Sequence, residues 1–492
     1  MLPSSVKASG DSSYSWIVLG ITSVAFFMSP FDASVVNVAL PSIQASLNIS
    51  LAAIIWIPAV YLLVIASTET TVGRLGDIRG KKSLYIISLA VFVAGSLFAG
   101  LSVNALQLII ARIVQGLGAA GMDAIGFAIL AGAFRSRNRG RAFGINQMTI
   151  YIGLTCGPVI GGILVQNFGW RSIFYVNVPI GLAAAVLTLI FIRKDSPASP
   201  TGQRFDFIGA FTLTAFLTLL LLILNDAGFK LSSAQSDLLY VACIASIASF
   251  IYIEVRIAAS PLLDLHLFTQ NRLFAGGATT SMMNYLTVYS TFFVLSLYLQ
   301  TILGFSPVNT GLVLLAQPIL MVVSSPIAGM LSERISARFL SSLGMAIKSV
   351  AFFILTFLGV KSPIEGVLVP LVMIGIGHGF FSSPNLNSVM SSVGPGKFGI
   401  ASGTMGTIRQ AAQSIGISIM GGIIASNMPS GSILQYGSNS AVSGVVALDF
   451  VTGMRIAFFV ACGFSVVGVF TSLLRGKKSD LVETKDQGNR DS

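Results

Sequence analysis

GRLGDIRGKKSL, residues 73–84, and GMLSERISARFL, residues 329–340, decide how this chain is read. Gly73, Leu75, Asp77 and Leu84 of the first align with Gly329, Leu331, Glu333 and Leu340 of the second. Each stretch is a short basic turn that closes a long apolar run. Each follows the second run of what parses as a set of six. Internal repeats of this kind mark membrane folds assembled from two related halves.

Around these turns the sequence is suited to lipid. Of 492 residues, 54% are hydrophobic and 10% charged, and the mean hydropathy is +0.85. Soluble domains carry roughly a quarter charged residues. A membrane-spanning helix needs about 20 mainly apolar residues. Apolar runs fall at 15–38, 51–72, 83–101, 105–133, 141–165, 172–192, 206–224, 238–256, 273–300, 308–331, 338–359, 364–390, 399–426 and 452–474, which makes fourteen. No small-residue cleavage site closes the first run, so it is expected to be a retained helix rather than a signal peptide.

The expected fold is an all-α integral membrane protein of 14 transmembrane helices, two pseudo-symmetric six-helix bundles with two extra helices between them. The boundaries are 1–14 for a disordered N-terminal tail, 15–192 for the first bundle, 193–271 for a linker with the two additional helices, 272–475 for the second bundle and 476–492 for the C-terminal tail. The Ser/Gly-rich stretch from Asn427 to about Phe450 reads as the longest exposed loop.

The net charge of +11 is mostly topology. Alternate connectors carry Arg74, Arg79, Lys81 and Lys82, then Arg135 to Arg141, then Arg193, Lys194 and Arg204, and the pattern continues to Arg475, Lys477 and Lys478. The opposite connectors show Arg171, Lys230, Lys361 and Arg455. The positive-inside rule places the first set, with both termini, in the cytoplasm of a multi-pass cell-membrane protein. Basic residues confined to short connectors argue against a nucleic-acid partner. Cys156, Cys243 and Cys462 lie inside apolar runs without metal-ligand spacing, so no metal site is expected. No Walker loop, zinc-protease motif or nucleophile elbow is present, which speaks against an enzyme and against a cofactor.

Buried polar residues mark the candidate sites, because charges inside a membrane are costly and face the bundle interior or a wet cavity. Asp32 sits in FDASVVNVALPS, residues 31–42, late in the first run. Arg112 and Asp123 are eleven positions apart, about 20° past three helical turns, so they share one face at a separation of ~16 Å along the axis. Ion pairing with another helix and a role in proton exchange both remain open for these three. Gly153, Gly157 and Gly161 recur every four residues and form a close-packing face beside Pro158 and Gly162. Glu69 is either a structural partner of a basic residue or a cavity carboxylate. Tyr61, Tyr151, Asn284, Tyr285, Gln317 and Asn385 are polar-tipped groups at span depth, and some should line a central cavity. His378, in GIGHGFFSSPNLNS, is open to titration or to a neutral helix contact, and its Pro and Gly neighbours suggest a broken or bendable helix. Lys348 lies in mid-span and either snorkels or marks a cavity.

The motif GRLGDIRGKK, 73–82, resembles the loop between the second and third helices of the major facilitator superfamily, except that Ile78 stands where a basic residue often follows the Asp. FDASVVNVALPSI, ARIVQGLGAAG at 111–121 and GLTCGPVIGG at 153–162 resemble the first-, fourth- and fifth-helix motifs of its fourteen-helix drug:proton antiporter branch. LYLQTILGFSPVNTG at 297–311 and TIRQAAQSIGISI at 407–419 are similar to its later segments. The resemblance implies a proton-coupled antiporter, driven by the proton gradient, that exports small hydrophobic or drug-like compounds by alternating access. A specific exporter of a metabolite, peptide or lipid-like molecule is the alternative, and a non-transporting sensor a remote one. The resemblance implies proton coupling at Asp32 and Arg112; Asp123 is outside the family motif, and its place in the same coupling set, binding proton or substrate, rests on its burial in the span. The resemblance also implies an inner gate of Gly73, Asp77, Arg79, Gly80, Lys81, Lys82, Glu333 and Arg409, and an antiporter helix motif at Gly153, Gly157, Pro158, Gly161 and Gly162. The expected partners are small-molecule substrate, protons and the bilayer, for a chain acting as a monomer.

Overall fold

Helix ends in this chain are written locally. Ser50 accepts from the amide of Ala53, Asn104 from Gln107 at 2.9 Å and Asn271 from Phe274 at 3.0 Å, and each begins a long helix. Gly80 alone separates two helices, with φ at +96°, a conformation open to glycine and strained for other residues. The computed structural model describes residues 12–134, 136–194, 206–224, 233–257, 265–332, 334–393, 398–428 and 444–475.

Among these residues the structure is all-helical. The first half comprises α1 (Ser12–Leu47), α2 (Leu51–Arg79), α3 (Lys81–Leu101), α4 (Ala105–Ala133), α5 (Ser136–Phe168), and the short α6 (Ser172–Tyr175) leading into α7 (Asn177–Phe191). Next come α8 (Phe207–Leu224) and α9 (Ser233–Tyr252). The second half comprises the short α10 (His266–Gln270), α11 (Arg272–Leu297), α12 (Pro307–Leu314), α13 (Ala316–Leu331), α14 (Ala337–Leu355), α15 (Glu365–Ser391), α16 (Phe398–Ser426) and α17 (Gly444–Leu474). Apart from its ends, the helix form satisfies the backbone polar groups within its own segment, as hydrocarbon requires.

Among the described residues, twelve helices are long and apolar enough to cross a membrane. Fourteen spans were expected. Ile208–Leu224 is a shorter apolar helix, and α16, although 29 residues long, is diluted by Gly, Ser, Thr and Gln. The first helix continues past the expected 38 to Leu47, and α17 starts at Gly444, inside the stretch expected to be loop. The segment around His378 is neither broken nor interrupted: α15 is one helix of 27 residues with Pro370 and Pro384 inside it. Of the expected tail 1–14, residues 12–14 are already part of α1, while 1–11, the expected tail 476–492 and most of the 194–204 linker lie outside the described residues.

In the first half α1 packs on α5, α4 and α7, and α3 on α4 and α7. In the second half α14 packs on α15 and α17, α13 on α15, and α11 on α16 and α17. The halves meet along α2–α16, α5–α12 and α1–α11, while α8 lies against α2 and α16. At the end of the bundle holding Gly304, Ser296 Oγ donates to Asn37 O at 2.6 Å and Gln300 Nε2 to Val38 O at 2.9 Å, pinning α11 to α1. At the opposite, basic end, holding Gly80, Thr70 Oγ1 and Thr407 Oγ1 share a cross-half hydrogen bond at 3.4 Å.

Candidate functional site

Two separate polar centres occupy the first half. In the first, Arg112 on α4 forms an ion pair with Asp32 on α1, and both side chains are wholly buried. The carboxylate also accepts from Gln115 Nε2 at 2.7 Å and Asn177 Nδ2 at 2.8 Å. Arg112 donates further to Gln115 Oε1 at 2.6 Å and Ile57 O at 3.3 Å, and its guanidinium lies 4.0 Å from the centre of the Tyr61 ring. A buried charge pair is tolerated when its remaining lone pairs and protons are satisfied, and these neighbours satisfy most of them, with Arg112 Nη2 left without a hydrogen-bond partner among the described residues. Close approach of α3 and α4 is part of the same design: a Cβ on Gly95 would stand 2.5 Å from the Gln115 amide.

Asp123, three turns along α4, belongs to the second centre. It lines a cavity between the halves. Ser29 Oγ donates to Asp123 Oδ2 at 3.1 Å. Tyr61 connects the centres: its ring carries Arg112, and its hydroxyl donates to Ser29 O at 3.3 Å. Arg409 lines the cavity from α16 of the other half and forms no direct hydrogen bond or ion pair among the described residues. Tyr285, Tyr289, His378, Gln410 and Gln413 complete a polar second-half wall, and Phe26, Phe127, Leu154, Val288 and Met321 supply apolar surface. Such a mixture suits an amphipathic small molecule held by a few polar contacts.

The sequence-based candidates divide accordingly. Asp123, Tyr61, Tyr151, Tyr285, His378 and Arg409 line the cavity. Asp32 and Arg112 are sealed behind it. Glu69 lies at the α2–α16 contact, where a Cβ on Gly406 would come 3.5 Å from its carboxylate, and Glu69 Oε2 has no hydrogen-bond partner among the described residues. Gln317 is buried against Gly375 of α15, away from the cavity lining. Asn385 donates to Gly277 O at 3.1 Å and Ser281 at 2.9 Å, and accepts from Arg475 at 2.6 Å. Asn284 accepts from Lys348 Nζ at 2.7 Å, so Lys348 is a buried core residue that neither snorkels nor lines the cavity.

Gly153, Gly157 and Gly161 face α1: a Cβ on Gly153 would stand 2.5 Å from Phe27 O, and one on Gly161 2.4 Å from the Val35 side chain. Pro158 and Gly162 instead form the contact between halves. A Cβ on Gly162 would come 2.5 Å from Pro307 O, and one on Gly311 2.2 Å from Pro158 O. Of the basic-end motif, Gly73 abuts Ala124 within the first half, Gly80 makes the turn, Arg79 is exposed, and Lys82 donates to Leu189 O at 2.8 Å. Lys81 opens α3. The Asp77 side chain and Glu333 lie outside the described residues.

Ser29, Tyr289, Gln410 and Gln413 were not singled out from sequence. Gln413 is four residues beyond Arg409, hence on the same helical face, and that spacing is the signal that would have found it. Ser29 had no such signal, since only the fold brings it to Asp123.

A multi-pass helical protein with a polar cavity between two bundles has the construction of a transporter. The family model described as Major Facilitator Superfamily matches residues 22–417, and the chain belongs to that superfamily of transporters. It is 31% identical over 467 residues to the riboflavin transporter RibZ of Clostridioides difficile (strain 630), covering 94% of this chain and 98% of that protein. It is 31% identical over 411 residues to the multidrug resistance protein Stp of Mycobacterium tuberculosis, covering 83% and 76%. It is 28% identical over 504 residues to the tetracenomycin C resistance and export protein of Streptomyces glaucescens, covering 96% and 93%. The crystal structure of a bacterial homologue of the human lysosomal transporter Spinster, inward-facing and occupied, has the same fold, with a TM-score of 0.70 at 15% identity over 95% of this chain and 97% of that one.

Proposed function

We propose that this transporter is a proton-coupled antiporter of the fourteen-helix branch, exporting small, largely hydrophobic compounds, with both termini cytoplasmic. Its two six-helix halves are the moving bodies, and α8 and the helix Ala234–Ile257 are the two extra spans. The observation that carries the reading is the position of Asp123. It is a carboxylate on the cavity wall, held by Ser29, opposite the Arg409 guanidinium of the other half. A hydrogen-bond-donating or cationic group of a ligand and a proton compete for the same Asp123 carboxylate, so each favours loss of the other. Asp32 and Arg112 act behind it through Tyr61 and Ser29, transmitting the charge state of Asp123 to the α1–α4 packing.

In this reading the structure is inward-facing. The Pro158–Gly162 contact and the Asn37 and Val38 hydrogen bonds close the outer end, and the basic end is cytoplasmic. Relatives named for multidrug resistance and for antibiotic export support a drug-like substrate. The similarity to a riboflavin transporter favours a second reading, a dedicated metabolite carrier on the same scaffold. Everted vesicles test both: an imposed pH gradient should drive uptake of several panel compounds, and a protonophore should abolish it. Uptake that ignores the gradient refutes the antiport mechanism. Uptake confined to one compound, riboflavin for example, selects the dedicated carrier.

A further inference from the structure

Lys348 is wholly buried in the middle of α14. Its ammonium meets three acceptors: Asn284 O at 3.2 Å, Asn284 Oδ1 at 2.7 Å and Thr287 Oγ1 at 2.9 Å. Thr287 gives its own proton to Asn284 O at 2.8 Å, so its oxygen is free to accept. Three acceptors match the three N–H bonds of an ammonium. A neutral amine has two N–H bonds and a lone pair that would face an acceptor.

Among the described residues, the charged and titratable groups on the neighbouring helices leave Lys348 without a carboxylate. From α11 come Asn284, Thr287 and Tyr285, and from α15 comes His378. From α17 comes Cys462, which reaches Ser349 at 3.4 Å. Glu365 is thirteen residues from His378 and Asp449 thirteen from Cys462, so each carboxylate lies about 20 Å away along its helix. Arg455 is bound to Leu358 O, Arg475 to Asn385, and Arg409 lies across α11 in the cavity.

Lys348 is a donor without acceptor capacity, so the Asn284 atom facing it must be the carbonyl oxygen. The amide nitrogen of Asn284 then points to His378 Nδ1, 3.2 Å away, and donates to it. A ring nitrogen that accepts a hydrogen bond carries no proton. The single proton of the neutral ring is therefore on Nε2, and Nε2 has no partner among the described residues, while His378 lines the cavity.

We infer that Lys348 is a positioning residue which, through Asn284, locks His378 in the Nε2–H tautomer and so fixes one N–H donor on the second-half wall for an acceptor oxygen of the ligand, a carbonyl or a carboxylate. This rests on the reading of the cavity as the substrate site. With Arg409 on the same wall and Asp123 on the other, the acceptor end of a ligand is directed to the second half. Protonation of His378 on both nitrogens would require the Asn284 amide to turn over, which would set its nitrogen against the ammonium.

The test is nitrogen NMR of ¹⁵N-histidine-labelled protein in nanodiscs. The chain has two histidines, so His266→Gln leaves His378 as the single reporter. The expected spectrum has a protonated Nε2 and an unprotonated, hydrogen-bonded Nδ1. In Lys348→Met the cation that orients Asn284 is gone, both amide orientations become available, and the Nε2–H population should fall about twofold, with Nδ1–H appearing in its place. Millimolar benzoate, a plain carboxylate probe, should shift Nε2 in the Lys348 protein. A proton on Nδ1 with Lys348 present overturns the inference, and so does an unchanged tautomer in Lys348→Met. Absence of a benzoate shift with the tautomer intact overturns its ligand half. None of these outcomes depends on transport, so failure of the export reading in vesicles is a separate result.

Discussion

The Asp32–Arg112 pair allows a quantitative test, because both side chains are wholly buried and the two sit in one hydrogen-bonded set. Asp32→Asn leaves the guanidinium without a counter-charge, beside Gln115, Ile57 O and the Tyr61 ring. Arg112→Met leaves the carboxylate with the Gln115 and Asn177 amides alone. Losing one partner of a buried pair costs about 3–5 kcal/mol, because the remaining charge is uncompensated. The double variant Asp32→Asn/Arg112→Met removes both charges and should cost no more than either single change. The interaction energy from the cycle should therefore be about 3–5 kcal/mol. The assay is reversible unfolding in mixed micelles by tryptophan emission. The three tryptophans, Trp16, Trp56 and Trp170, all lie in the half that holds the pair. Additivity of the two single costs within about 0.5 kcal/mol would refute the reasoning, since uncoupled sites behave that way.

Other expected outcomes follow from the same geometry. Gly162→Leu places side-chain atoms where Pro307 O stands, so the halves should separate at that end. Spin labels at Ile163→Cys and Leu312→Cys in a cysteine-free background should report a longer distance, and an unchanged distance would contradict the contact. Gly80→Ala forces a side chain onto a backbone at φ +96° and should cost about 1–3 kcal/mol by the same unfolding assay. Asp123→Asn should fold normally, because one hydroxyl from Ser29 is its hydrogen-bond partner, yet lose gradient-driven uptake in everted vesicles. Ser296→Ala removes the bond to Asn37 O and should raise labelling of cavity cysteines from the outer side, by an amount consistent with about 1 kcal/mol.

The spans were legible in the sequence because hydrocarbon leaves a backbone few choices: long apolar runs become helices, and Ser50, Asn104 and Asn271 mark their starts. The limits of that signal show at α8 and α16. One is short, and the other has traded apolar residues for Gly, Ser, Thr and Gln on the faces it presents to α2 and α11. Hydropathy responds to lipid exposure, whereas α16 is polar because it faces protein and cavity. The shared face of Arg112 and Asp123 was also legible, being a property of one helix. Their partners were not. Asp32 is 80 residues from Arg112, and Asn284 is 64 from Lys348, so those pairings are set by how whole helices rotate against one another. For the same reason Asp32 and Asp123, grouped with Arg112 as one set of buried charges, separate into a sealed ion pair and a cavity carboxylate.

The most direct test of the central claim is proton release on ligand binding to purified protein. The probe is the panel compound most strongly taken up in vesicles, added in weakly buffered solution with a pH dye. The account predicts about one proton released per protein in the wild type, from Asp123, and none in Asp123→Asn. Undiminished release in Asp123→Asn would contradict it.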